Sequence, residues 1–419
     1  MKRLGALGLV VVLLLCPGGV FAAEVTGELK GEVRIPVEAD KPWDESFGTL
    51  SLRLETEGDL DFGCWKTTID SRYDKMIDKL GNGYDDIAAL EDDLTFKIDE
   101  AYVSIFSPLG ADLDLRLGKQ HVKLGTGDGI TTCSLLEPTK ARFIDEFRDT
   151  DGVVGARVDW YPGDVQVTGF WQPRITPAEA PVDPLGELGL SRETEAIDYD
   201  DTGMGYALKA TRLVGRYDVG AAYQRGYVPA PLPAGVNLIT EGNYRLVEKY
   251  MPMRKLSLLI SGPLGDAGAW AELTYNKPEE DFFSPQLRGL LGSLPERYHL
   301  SDEAYVSGLI GADYFFADGT YVNGQIVRGF PYEYTESMVQ TYFIGDAYRH
   351  FMGDRLKLEA KVVYCFDDQG WILGPEVTYQ LPGSTKLWVK GIWLGGDDES
   401  DFEQMGDLSQ VMVGIGIEI

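Results

Sequence analysis

Basic residues are the first shortage: 38 Lys+Arg stand against 67 Asp+Glu in 419 residues, a formal net charge of −29. Phosphate backbones are bound by Lys and Arg in excess, so nucleic acid is excluded as a partner. Histidine is scarcer still. His121, His299 and His350 are the only three, and none lies beside a Ser in a GxSxG turn or at metal-ligand spacing. The parts of a Ser-His hydrolase are missing, and no enzyme activity is expected. Cysteine occurs four times, and Cys64, Cys133 and Cys365 follow Cys16 without CxxC or Cys/His spacing. A disulfide framework and a zinc site are therefore unsupported, and at most one bridge could form. Beyond residue 25 no uninterrupted apolar run of about 18 residues occurs, which argues against a helical membrane protein.

What is present begins with a leader. Lys2 and Arg3 precede an apolar run from Leu4 to Leu15, and Val20-Phe21-Ala22 offers small residues where a signal peptidase reads. Residues 1–22 are expected to be a signal peptide and 23–419 the mature domain. Cys16 follows Leu15, where a lipoprotein signal would place a small residue, so lipidation is not the favoured reading.

The mature chain alternates with a period of two. Val25, Gly27, Leu29, Gly31, Val33 and Ile35 interleave with Glu28, Lys30, Glu32 and Arg34. Leu356, Leu358, Ala360 and Val362 interleave with Lys357, Glu359 and Lys361, and Val411 to Ile419 repeats the pattern. Each such run reads as a strand with one oily and one wet face. The connections alternate between short turns, such as Pro162-Gly163, Asp318-Gly319 and Pro382-Gly383, and long segments, such as 125–151, 174–202 and 228–251. Counting through this alternation predicts an all-β fold, a transmembrane antiparallel β-barrel of about 18 strands with 16 as the fallback. Short turns would face the periplasm and long loops the exterior, in the outer membrane of a Gram-negative envelope. Strand-end aromatics, Trp160, Tyr217 and Tyr314 by the turns and Tyr275, Trp371 and Trp393 by the loops, read as two interfacial girdles. A soluble sandwich would need a dry face across fewer strands.

The charge is not spread evenly. Asp, Glu, Lys and Arg in the nine loops sum to −29, the whole formal charge of the chain. A negative outer rim raises the local concentration of cations at the mouth and faces the lipopolysaccharide layer. The acidic runs Asp397-Asp398-Glu399-Ser400-Asp401-Phe402-Glu403 and Asp198-Tyr199-Asp200-Asp201 could hold calcium through oxygen ligands, although neither has EF-hand spacing. No other cofactor and no metal site is expected. On the wet faces, parity groups Lys30, Arg34, Arg53, Lys66, Arg116, Arg157, Lys209, Lys357, Lys361, Lys386 and Lys390 with Glu28, Glu32, Glu55, Asp70, Asp114, Asp159, Asp218, Glu272, Asp313, Glu359 and Glu376. Such a wall could carry opposed acidic and basic arcs, or be laced with salt bridges that only stiffen it. The glycines of Gly125-Thr126-Gly127-Asp128-Gly129 resemble a phosphate-cradling loop, but no helical period follows, and an exposed barrel loop accounts for them.

One stretch carries more: Asp99-Glu100-Ala101-Tyr102-Val103, Leu115-Arg116-Leu117-Gly118-Lys119-Gln120, then Gly125, Asp128-Gly129 and Pro138. This resembles the EAYV, RxGKQ, DG pattern of a broad family of bacterial outer-membrane porin-like proteins, with Leu124 where that family has Trp. Apolar parity shifts between Leu113, Leu115, Leu117 and Val122, Leu124, so a bulge near Gly118-Lys119-Gln120 is expected to turn Lys119 and His121 toward the lumen. The resemblance implies a passive channel for small hydrated solutes or ions, narrowed by an inward-folded loop; 125–151 and 174–202 are the candidates. The segment Asp149–Val158 is similar to alginate-export-type barrels, which implies a basic conduit for an anionic polymer as the alternative. A non-conducting surface or structural barrel is the third reading. Outer-membrane lipid and lipopolysaccharide, the barrel-assembly machinery and small solutes are the expected partners. The strands show no polar seam from which to argue an oligomer, and a homo-oligomer stays open.

Overall fold

In the segment Pro252–Leu264, Leu256, Leu258 and Ile260 are 52, 58 and 42 % exposed, whereas Lys255, Ser257 and Leu259 between them are buried. The alternation read from the sequence is thus one face toward the surroundings and one toward an interior. The computed structural model describes residues 23–37, 46–76, 94–138, 150–178, 191–194, 204–240, 243–279, 282–291, 301–330, 333–398 and 400–419. The predicted signal peptide lies outside them.

The first strands are β1 (Ala23–Pro36), β2 (Phe47–Leu60), β3 (Gly63–Met76), β4 (Leu94–Phe106), β5 (Leu113–Gln120), β6 (Val153–Trp160) and β7 (Val165–Gln172). After β8 (Ser191–Thr194) come β9 (Gly205–Val214), β10 (Tyr217–Tyr227), β11 (Leu232–Thr240), β12 (Asn243–Lys249), β13 (Pro252–Leu264) and β14 (Ala267–Pro278). Helix α1 (Pro285–Leu291) precedes β15 (Tyr305–Phe315), β16 (Thr320–Arg328), β17 (Thr341–Phe351), β18 (Leu356–Cys365), β19 (Trp371–Gln380) and β20 (Thr385–Gly395). The one-turn α2 (Asp401–Gln404) precedes β21 (Gln410–Glu418).

Eighteen of these strands form one sheet in which chain neighbours pair antiparallel. β1 closes it on β21, from Glu28 opposite Glu418 to Pro36 opposite Gln410. The count is the expected 18, and the fallback of 16 falls away. Closure leaves no edge amides, and the exposed apolar residues of the outer wall, such as Leu208, Leu273, Ile310 and Val413, make a surface that lipid solvates and water does not. This is the architecture of a membrane-spanning barrel. Among the described residues no helix is long and apolar enough to cross a membrane. β13 belongs to the barrel although Arg254 and Lys255 break its alternation of apolar and polar residues: Arg254 faces out and Lys255 faces in.

The remaining three strands belong to the loops. β11 and β12 form a hairpin between β10 and β13, and β8 pairs parallel with β12. Alternation along Val236-Asn237-Leu238 was present in the sequence, but the segment 228–251 reads there as a plain loop. Leu246 of this small sheet and Leu287 of α1 are fully buried. They join Val122, Leu124, Leu135 and Leu136 in an apolar cluster that rests on Phe170, Ala207 and Met253 of the wall.

The bulge expected near Gly118-Lys119-Gln120 is not there. Pairing runs without a slip through Gly118, Lys119 and Gln120, opposite Gly155, Val154 and Val153. The bulge lies one strand away, where Thr68 and Ile69 face Glu100 and Ile98 and Asp99 is the extra residue of β4. The parity shift after Leu117 has another cause: past Gln120 the chain leaves the wall, so Val122 and Leu124 bury inside the barrel instead of facing lipid. Gly118 serves its neighbour strand, since a Cβ there would stand 2.2 Å from the carbonyl oxygen of Ala101.

A charge at the middle of the outward row tests the orientation. Leu258→Arg should lower folding stability in vesicles by about 2–4 kcal/mol, the cost of a guanidinium at the bilayer midplane, read from urea-unfolding midpoints. An unchanged midpoint would place Leu258 away from lipid.

Candidate functional site: the interior of the barrel

The segment 121–138 runs inside the barrel and is held there by one carboxylate. Glu272 of β14 is 4 % exposed. Its Oε1 accepts the backbone N–H of Thr126 at 2.5 Å and of Gly127 at 2.8 Å. Its Oε2 accepts the N–H of Thr132 at 2.9 Å and of Cys133 at 3.3 Å. The Thr131 hydroxyl reaches both oxygens, at 3.0 and 2.8 Å, and the Thr132 hydroxyl reaches Oε2 at 3.2 Å. Successive amides converging on an anion make a nest. The glycine-rich run does wrap an acidic group, then, but it is folded inward, and the anion is a side chain of the barrel's own wall. Glycine is required for this approach: a Cβ on Gly125 would lie 2.4 Å from Glu272 Oε1, and one on Gly127 2.1 Å from the Ile130 carbonyl oxygen.

Neighbouring strands complete the attachment. Lys255 of β13 donates to the carbonyls of Thr132 and Ser134 at 3.2 and 3.0 Å. Gln224 of β10 accepts the N–H of Leu135 at 3.0 Å and donates to the Cys133 carbonyl. Gln325 of β16 accepts the N–H of Asp128 at 3.2 Å and donates to its carbonyl at 2.7 Å, while Asn323 donates to the Asp128 carboxylate at 2.5 Å. A second, half-buried carboxylate works the same way on the loop after β16. Glu333 accepts the N–H of Phe330 and Gln340 at 2.8 and 3.0 Å and the Tyr342 hydroxyl at 2.5 Å.

Where the inward segment leaves and rejoins the wall, charges gather around His121. Its Nε2 lies 3.5 Å from Asp99 and its Nδ1 3.4 Å from Glu137, whose Oε1 also accepts the N–H of Val122 at 2.6 Å. Arg53 bridges Asp70 and Asp99 at 3.2 and 3.3 Å, and Lys97 meets Asp151 at 2.6 Å. The Asp99 and Glu137 carboxylates beside the ring push the His121 pKa up to about 9, so both ring nitrogens donate at neutral pH. Lys119 does not turn toward the lumen as expected: it shares the outward parity of Leu117, stands opposite exposed Val154, and donates to the Ile98 carbonyl at 2.5 Å.

The other charged residues singled out from the sequence lie mostly in pairs. Lys30 and Lys386 meet Glu28 at 2.7 and 2.5 Å. Arg34 meets Glu32 at 2.9 Å, and Trp388 donates to the same carboxylate at 3.2 Å. Arg157 meets Asp159 at 2.7 Å. Lys357 and Lys361 meet Glu359 at 2.8 and 3.7 Å. Arg116 donates to Ser104 at 3.0 Å and stacks 4.4 Å over the Tyr102 ring. Lys390 stands opposite Glu376 in register, and Lys209 is half-buried within the electrostatic reach of Glu272. Acids and bases interleave along the wall. What the sequence missed are the uncharged holders: Gln224, Asn323 and Gln325 carry no signal beyond a polar residue at an inward position.

Cys64, Cys133 and Cys365 are free thiols. Among the described residues no group of three or more His, Cys, Asp or Glu is placed to hold a metal. Asp198, Asp200, Asp201 and Glu399 lie outside the described residues, as does most of 174–202. In the second acidic run, Ser400 caps α2 by accepting the N–H of Glu403 at 3.2 Å, and Asp368 accepts that of Asp401 at 3.0 Å.

No family model matches the chain, and no curated protein matches its sequence. Solved structures do match its fold. OccK9 (OpdG) of Pseudomonas aeruginosa aligns with 95 % of this chain and 98 % of its own, at 11 % identity and a TM-score of 0.53. OccK2 (OpdF) of the same organism aligns with 95 % and 96 %, at 11 % identity and a TM-score of 0.51. A mutant of Rh. blastica porin aligns with 95 % and 100 %, at 10 % identity and a TM-score of 0.44. At these identities the likeness is one of fold.

Removing the carboxylate leaves several buried N–H groups unsatisfied, at about 1–3 kcal/mol each. Glu272→Ala should therefore release the segment and expose Cys133, which is fully buried in the native fold. The expected result is maleimide labelling of Cys133, located by peptide mass mapping, at least about tenfold faster than in the parent. Equal labelling would mean that other contacts hold the segment. His121 supplies a second test. Its raised pKa contributes stability that is complete below about 6.5 and lost as pH climbs through about 9. Urea midpoints should fall across that window in the parent and change less in His121→Gln.

Proposed function

We propose that this chain is a passive channel of the outer membrane, through which small hydrated solutes or ions diffuse along the part of the lumen that segment 121–138 leaves open. The observation that carries this reading is the contrast between two sectors of the inner wall. Under the inward segment the wall is covered by hydrogen bonds from Gln224, Lys255, Glu272, Asn323 and Gln325 and by apolar packing. On β1 to β4, and on the turn-side half of β18 to β21, the inner face is polar and ion-paired, a surface that water wets, whereas the loop-side half of β17 to β21 packs Ile344, Val363, Ile372, Leu394 and Met412 around Ile130 and Phe402. Barrel neighbours among solved structures support the channel architecture.

Cation preference is the finer part of the proposal. It rests on the loops, which hold the full −29 of formal charge, and not on the inner wall, where bases and acids offset one another. An exporter of an anionic polymer would need a continuous basic track. The interleaved pairs Lys30–Glu28, Arg53–Asp70 and Lys357–Glu359 do not favour that reading.

Planar-bilayer recording of the purified mature chain under a KCl gradient tests both parts. Stable open steps are expected, with a reversal potential of the sign for K+ over Cl−. That preference should shrink between 0.1 M and 1 M salt, as the screening length falls from about 10 to about 3 Å. A silent bilayer would overturn the channel, and a salt-independent preference would move selectivity from the rim to the wall.

A further inference from the structure

The outer wall carries a row of cations at one place only among its described loop-side strand ends. Arg225 of β10 stands directly opposite Arg254 of β13, and Arg254 directly opposite Lys277 of β14. Arg254 and Lys277 are exposed, on the face that also carries Leu256, Leu258 and Tyr275; Arg225 shares that face and is half-buried. The row continues on its other side into aromatics: Arg225 faces Tyr206 of β9, and Tyr206 faces Trp171 of β7. Both rings are exposed. One step toward the membrane centre, the next outward row is Leu208, Tyr223, Leu256, Tyr275 and Val306, also in register. The cations therefore sit at the upper margin of the lipid-facing belt, where the outer leaflet places its headgroups. Arg328 of β16 adds another exposed cation to the loop-side end of the same outer face.

Like charges directly opposite on neighbouring strands repel and weaken the pairing. Glu279 lies 3.4 Å from Arg225. The feature is the more distinct because the loops above the barrel are strongly acidic, while the 228–251 loop between β10 and β13 carries no net charge. We propose that this row is a docking site for a phosphorylated glycolipid of the outer leaflet, with Arg254 and Lys277 meeting the sugar phosphates. The acyl chains would lie along Leu256, Leu258 and Leu273, and the Trp171 and Tyr206 rings would flank the sugars. Phosphate matches the cations in charge, the guanidinium offers it paired donors, and the apolar row below fits a lipid and not a free anion.

The test titrates the full chain in detergent with bis-phosphorylated lipid A, with the same lipid stripped of phosphate, and with phosphatidylethanolamine, reading bound lipid by native mass spectrometry. The variant R254Q/K277Q keeps the Arg225–Glu279 pair, and a single R254Q is measured beside it in case the double variant folds poorly. These side chains face away from the lumen, so an unchanged single-channel conductance confirms folding. The parent should retain the bis-phosphorylated lipid, and the double variant should bind it at least about tenfold more weakly. The other two lipids should bind both proteins alike and weakly. Equal retention of lipid A by parent and variants, or equal binding of its phosphate-free form by the parent, would overturn the proposal.

Discussion

A backbone that crosses hydrocarbon must pair every N–H and C=O within the protein, because no water is there to take them. The register between β1 and β21, Glu28 opposite Glu418 and onward to Pro36 opposite Gln410, satisfies that demand by removing the sheet edges. Everything else follows from closure. With lipid outside, the outward positions have to be apolar, as at Leu256, Leu258 and Ile260. The inward positions are left to hold charge, water and a piece of the chain.

That piece is shaped by the same rule applied to a smaller scale. Segment 121–138 is not a strand, so its amides need partners when it enters the barrel. Glu272 supplies acceptors for four of them, and Gln224 and Gln325 supply one each. In return the segment's N–H groups and hydroxyls surround a carboxylate that would otherwise be a costly buried charge. Each side is satisfied by the other, which explains why a loop anchored about 140 residues away in sequence is fixed in place. Val122, Leu124, Leu135 and Leu136 add apolar packing against Phe170, Ala207 and Met253. The neck at His121 is a separate electrostatic fastening, made where the segment departs from β5.

The barrel was legible in the sequence because its governing constraint acts on every second residue. Val25 to Ile35 and Leu356 to Val362 show it without any tertiary information, and turn residues such as Pro162-Gly163 and Asp318-Gly319 mark the hairpins. The inward segment was legible as one of two candidate inward loops, 125–151 beside 174–202, but what holds it was not. Its glycines and the parity break at Val122 stood out, but the same signal fits a bulge, an exposed loop or an anion cradle. What distinguishes these is Glu272, whose inward parity could be read while its partners could not. The small sheet of β8, β11 and β12 was lost for a similar reason, since a hairpin embedded in a long connection resembles a loop until its partner is known. Wall charges were placed on the inner side by parity, yet parity says nothing of depth, and their pairing as Lys386–Glu28 or Lys66–Glu100 joins strands across the register.

The central claim is that one buried carboxylate fixes the segment that narrows the lumen. Single-channel conductance of Glu272→Ala against the parent, in the same bilayer and the same KCl, tests it most directly. The account predicts a larger and noisier open current in the variant, as the released segment moves off the wall and samples several positions. A conductance and noise identical to the parent's would contradict it, and would mean that the inward segment does not set the width of the path.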